Sequence, residues 1–182
     1  MSTYGTALVF DVAPEGSVGA VMALLGARDP HATTLETGSG WTRVTAFLAD
    51  VGQLALVEHA ATSAGRCRVA VAEDNDEYGA LWVVLSASEG RVTTVHRRYV
   101  LNADPHDPSD VATALRDLDW IDPREVDVAG ADAAAAAAEL FEVDPDVMVA
   151  AERDSDSAFK EIGVVGGPFP WWDALGLPWP GS

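Results

Sequence analysis

The chain has 182 residues, 48% of them hydrophobic, with 11 basic and 29 acidic side chains for a net charge of −18. That length and apolar content suit one domain with a sizeable core, and the acidity excludes a nucleic-acid backbone or an anionic membrane as a partner. Cys67 is the only cysteine, so no internal disulfide framework exists and a reducing compartment is expected.

The amino terminus, MSTYGTALVFDVAPEG, has neither the basic start nor the long apolar run of a secretory signal. No run approaches the roughly 18 uninterrupted apolar residues of a membrane span. A cytoplasmic location is the expectation. The charge is uneven: residues 1–100 hold seven basic and eleven acidic side chains, net −4, and residues 101–182 hold four and eighteen, net −14. Acidity everywhere would suit plain solubility or a high-salt habitat; acidity gathered in one half points to a surface for a basic partner.

In chain order, TALVFDVA (Thr6–Ala13) reads as a buried strand. Pro14, Glu15 and Gly16 break it, and Ser17 caps a short helix with Val18, Val21, Met22 and Leu25 at helical spacing and Gly26 near its end. From Trp41 the period shortens to two. WTRVTAFL, QLALVEHA, RCRVAVAE, ALWVVLSA and RVTTVHRRYV read as strands, the first also open to a helical reading, with Ser88-Glu89-Gly90 as a tight hairpin in which Gly90 takes positive φ. An antiparallel meander of about five to six strands is predicted.

The second half changes character. Pro108-Ser109-Asp110 caps an amphipathic helix through Val111, Ala114, Leu115 and Leu118, and Asp122-Pro123 marks a turn after Trp120. ADAAAAAAELFEV (Ala131–Val143) is a strong helix former because alanine loses no side-chain entropy. Pro145 is expected to end it, with a short helical turn in DVMVAAER. The close, GGPFPWWDALGLPWPGS, holds three of the six tryptophans and four of the ten prolines. Proline forbids helix interior and central strand, so an irregular tail clasping the core is predicted, with one turn of helix in WWDALGL, Trp171 or Trp172 inward and Trp179 at the rim. The fold class is therefore α+β in one domain, residues 1–182: a strand-rich half (1–100), a helical acidic half (101–165) and an aromatic tail (166–182).

The candidate chemistry is sparse. Strand alternation puts Cys67, Val69 and Val71 on one face, so the cysteine reads as buried despite its arginine neighbours. His31, His59, His96 and His106 lack metal-ligand spacing, His59 being assigned to a strand with Glu58 on the opposite face, and no cofactor motif appears. In His96-Arg97-Arg98 the first and third share a face and are expected to pair with acids of the second half. EDNDEY (Glu73–Tyr78) reads as an acidic connection between two apolar strands. It lacks the glycine and the last glutamate of a calcium loop and is read as a finger for a basic cleft.

Through GALWVVLSASEGRV, EDNDEY and PFPWWDALGLPWP, the chain resembles the intracellular immunity proteins of bacterial toxin systems, which are small, acidic, tryptophan-rich and without catalytic motifs. The resemblance implies a basic protein partner, a cognate toxin whose active site is plugged, including one that cleaves nucleotides or nucleic acid. The expected contact residues are Glu73, Asp74, Asp76, Glu77, Tyr78 and Trp179. Two other readings stand beside it: a ligand-binding protein or enzyme with a pocket between sheet and helices, built on Cys67, His96 and Arg98, and an adaptor that holds another chain through its aromatic tail.

Overall fold

The computed structural model describes residues 4–29, 31–37, 39–50, 52–75, 79–101, 128–162 and 169–179. The helix expected at Val111–Leu118 and the turn after Trp120 lie outside these residues. Six strands form one sheet: β1 (Tyr4–Val12), β2 (Thr33–Glu36), β3 (Thr42–Leu48), β4 (Cys67–Asn75), β5 (Gly79–Ser88) and β6 (Arg91–Leu101). Five helices accompany them: α1 (Val18–Leu25), α2 (Leu54–Ala64), α3 (Ala131–Phe141), α4 (Pro145–Ile162) and α5 (Phe169–Ala174). This is an α+β fold, and no described helix is long and apolar enough to cross a membrane.

The strand order is β2-β3-β1-β4-β5-β6, every neighbouring pair antiparallel. Only β4-β5-β6 is a sequential meander; β1 enters the middle, between β3 and β4. Its run ALVFDV explains why, since a strand apolar at consecutive positions needs cover on both faces. Leu8, Phe10 and Val12 join Val69, Val71, Leu81, Val83 and Leu85 in a core under α1 and α2. Ala7 and Val9 join Ala70, Ala72, Trp82 and Val84 in a second core on the opposite face, under α3, α4 and α5.

Local chemistry accounts for the element ends. The Ser17 side chain accepts from the Ala20 amide at 3.2 Å and caps α1, as predicted. Glu89 and Gly90 both take positive φ, 53° and 75°, the backbone that matches the right-handed twist of a two-residue hairpin. Beneath α3, Ala134, Ala137 and Ala138 are fully buried, so the alanine run is a packing face that lets the helix backbone approach the sheet.

Three expectations change. QLALVEHA is not a strand: Leu54–Ala64 is α2, with Val57, Ala60, Ala61 and Ala64 buried at helical spacing and His59 exposed. Pro145 opens α4, an 18-residue helix, at the position where its missing N–H costs nothing. The end of α3 comes earlier, at Glu142 with φ 61°, whose amide and that of Val143 satisfy the last carbonyls. Finally, β2 was not foreseen. All four of its residues are exposed, so burial left no pattern to read.

Candidate functional sites: a closed polar clasp, a buried acid and an acidic face

The first cluster begins with a defect in β6. His96 pairs with Val84 and Thr94 with Leu85, leaving Val95 as an extra residue. Uninterrupted alternation from Val92 and Thr94 would turn His96 toward the α1–α2 core; the bulge turns it to the other face. There it is fully buried. The Trp82 indole N–H donates to His96 Nδ1 at 2.6 Å. An indole only donates, so Nδ1 is the acceptor, and Nε2 carries the hydrogen that goes to Glu152 Oε2 at 3.0 Å.

Glu152 gathers the neighbouring elements. Its Oε2 also accepts from the Trp171 indole of α5 at 2.9 Å, and its Oε1 from the Gly130 amide ahead of α3 at 2.7 Å. Arg98 of β6 lies 3.7 Å from Oε1. Burial opposes ionisation of Glu152, but the His96 hydrogen bond, the Gly130 amide and Arg98 outweigh it and hold the carboxyl at about 2. Trp171 stacks on Trp82 with centroids 5.8 Å apart, and His96 meets the edges of both rings. Trp172 is fully buried beside them, and half-buried Trp179 stacks on Trp172 at 4.8 Å.

The aromatic tail is thus pressed against its own sheet, with Trp171 and Trp172 inward and Trp179 at the rim, as expected. The pairing expected of His96 and Arg98 with an acid of the second half is also present. A histidine and a glutamate in contact are half of a proton relay, yet both His96 nitrogens are engaged and the ring has no exposure. No nitrogen is open to an outside reactant. Among the described residues, the Trp82, Trp171 and Trp172 rings fill the space beside His96 where the alternative, ligand-binding reading would place a pocket. Nor does Cys67 belong with His96: it lies in the core on the other side of the sheet, where burial pushes its thiol up to about 12. That is the inert range for a cysteine.

A second buried cluster ties β3, β1 and β4 together. Arg43 grips Asp11 through two hydrogen bonds of 2.6 and 2.8 Å. Arg68 donates to Asp11 at 3.0 Å and to the Leu140 carbonyl at 2.6 Å, with the Trp41 and Phe141 rings 4.5 and 4.9 Å from its guanidinium. This arrangement fastens the end of α3 to the sheet.

Of the predicted contact residues, burial is described for Glu73 and Trp179 alone. Glu73 is not on a solvated loop: β4 continues to Asn75, and Glu73 is only 2% exposed on the α1–α2 side of the sheet. The pleat that buries Cys67, Val69 and Val71 carries Glu73 inward with them. It is therefore removed from the contact set. Asp74 lies in β4 opposite Gly5 and Ala80, and Asp76, Glu77 and Tyr78 lie outside the described residues. Trp179 is held by Trp172.

Exposed acids gather elsewhere. Asp132, Glu139, Glu142, Asp144, Asp146 and Asp154 are exposed along α3 and the first half of α4. Arg153, an exposed cation of α4, sits 3.3 Å from Asp154. Asp132, Glu139 and Glu142 border an open depression of about 600 Å³ whose remaining walls are Ala135, Ala136, Val143 and Pro145. Among the described residues, no group of three or more His, Cys, Asp or Glu is placed to hold a metal. The chain matches no protein-family model, and no curated protein or solved structure is significantly similar to it.

Proposed function

We propose that this chain is a binding protein that neutralises a basic partner, and that α3 and the start of α4 form the contact. The observation that carries this reading is the depression edged by Asp132, Glu139 and Glu142 over a small apolar floor. Such a surface suits lysine or arginine side chains, whose aliphatic stems lie on apolar ground while their charges meet carboxylates. Concentrated negative charge also speeds encounter with a positively charged protein. In its finer form the reading is that of an immunity protein, with a bacterial toxin as the partner; the acidity, the tryptophan-rich closed core and the resemblance noted above support it. An enzymatic reading gains nothing from Cys67 and His96, which lie in separate cores.

The test uses the triple variant Asp132→Asn, Glu139→Gln, Glu142→Gln beside the intact chain. Each is co-expressed with a candidate basic toxin, taken from a gene neighbouring this one where such a gene is present, and cell growth and co-purification are followed. The intact chain is expected to restore growth and co-purify in moderate salt, with the variant weaker by at least about tenfold and the loss mimicked by high salt. Equal rescue by both chains, or binding indifferent to salt, overturns the assignment of this face.

A further inference from the structure

Glu73 is the buried acid that the clasp and the acidic face leave unused. It sits in a row across five strands at one end of the sheet: Leu48, Thr6, Glu73, Leu81 and Tyr99. Above that row the chain leaves β3 and turns through Asp50, Gly52 and Gln53 into α2. Thr6 Oγ1 lies 2.8 Å from the Asp50 carbonyl and 3.1 Å from Glu73 Oε2. The Gln53 amide approaches the same Oε2 at 3.4 Å, and Oε1 has no partner among the described residues.

A threonine hydroxyl has one hydrogen to give. The Asp50 carbonyl, closer and itself only an acceptor, takes it. The contact between Thr6 Oγ1 and Glu73 Oε2 is then a hydrogen bond only if Glu73 supplies the proton. The solitary Oε1 agrees, since an unpartnered carbonyl oxygen is tolerated in a core far better than half of a carboxylate charge. The surroundings offer little to an ionised form. Among the described groups around it, β6 contributes the Tyr99 phenol, the turn before α2 contributes the Gly52 and Gln53 amides, and Arg28, beyond the end of α1, bonds the Gln53 side chain at 2.8 Å. Burial correspondingly raises the Glu73 carboxyl above the ordinary glutamate range, against the Gly52 and Gln53 amides, and burial likewise raises the Tyr99 phenol.

We propose that Glu73 is a neutral carboxylic acid whose proton latches the Asp50–Gln53 turn and the start of α2 to the end of the sheet, so that losing this proton to solvent opens that corner of the molecule. The sign follows from linkage. A group whose folded-state affinity for protons is raised contributes stability that is full below its unfolded pKa, about 4.3 for glutamate, and is lost as pH rises through the folded value. Release lets water reach both oxygens, which the closed corner does not allow.

The experiment is amide hydrogen exchange of residues 52–56, expressed as protection factors, across pH from about 4.3 upward for the intact chain and for Glu73→Gln. Protection in the intact chain is expected to fall by up to about tenfold per pH unit between about 4.3 and the folded pKa, and to level off above it. Glu73→Gln keeps the shape and the donor of the neutral acid and is expected to hold protection constant to within about twofold. Parallel pH profiles for the two chains overturn the proposal, as does a Glu73→Gln chain that fails to fold. The carboxyl carbon resonance of Glu73 in the intact chain reports the proton without any substitution. A midpoint above that of the exposed glutamates supports the latch, and one at or below it refutes the latch.

Discussion

Replacing Glu152 with alanine is the sharpest test of how the tail is held. The substitution removes the acceptor of two buried donors, the Nε2–H of His96 and the Nε1–H of Trp171, and of the amide of exposed Gly130. Each buried donor left unpaired costs about 1–3 kcal/mol, so the direct expectation for His96 and Trp171 is about 2–6 kcal/mol. Proton linkage gives a second scale. Held at about 2 in the fold against about 4.3 unfolded, the carboxyl contributes on the order of 3 kcal/mol, present above pH 4.3 and lost as pH falls through 2. The two scales meet near 3 kcal/mol, a large part of the roughly 5–15 kcal/mol that holds a typical domain together.

Urea unfolding followed by tryptophan fluorescence reads this directly. Glu152→Ala is expected to move the midpoint down by an amount equal to at least about 3 kcal/mol at unchanged slope. In the Trp171→Phe background, which already lacks one donor, the same substitution should cost measurably less, because the two residues are coupled. A loss below about 0.5 kcal/mol at neutral pH, or full additivity in the double variant, would refute the claim that this carboxylate pins α5 and α3 to the sheet.

Two further outcomes test the closed interior. A chain ending at Gly167 lacks Trp171 and Trp172, each worth about 4–6 kcal/mol of buried area, and is expected to lose cooperative unfolding by circular dichroism; a stable, cooperatively melting fragment contradicts the clasp. Cys67, buried with its thiol pushed up to about 12, should react with a thiol reagent only at the rate of unfolding. Rapid labelling of the native chain at neutral pH would place it outside the core.

Much of this architecture was legible because hydrophobic period is a local property. β1, β3, β4, β5, β6 and α1 each carry their burial pattern in a few consecutive residues, and the prolines and tryptophans of the tail announced a packed segment. The place of β1 in the middle of the sheet was not legible in the same way, since strand order depends on partners far along the chain. QLALVEHA failed because its apolar residues satisfy both periods over eight positions; the continuation through Ala60, Ala61 and Ala64 decides for helix.

The site residues were obscured for different reasons. Two acids stood in core positions and could have been noticed. Glu73 follows Cys67, Val69 and Val71 on the inward parity of β4, and Glu152 shares its helical face with Met148 and Ala151. Glu73 was masked by the run of acids after it. Glu152 was masked by the acidity of its whole half. The link between His96 and Glu152 spans 56 positions and depends on a one-residue bulge that no local pattern encodes.

The central claim concerns α3 and the start of α4, and a footprint measures it most directly. Hydrogen exchange of the free chain is compared with that of the chain mixed with the candidate basic toxin used in the co-expression test. Slowed exchange across residues 131–149, with β2 and β3 unchanged, is the predicted result. Protection confined to β2 and β3, or no stable complex at low ionic strength, would contradict the assignment of the acidic face as the working surface of this protein.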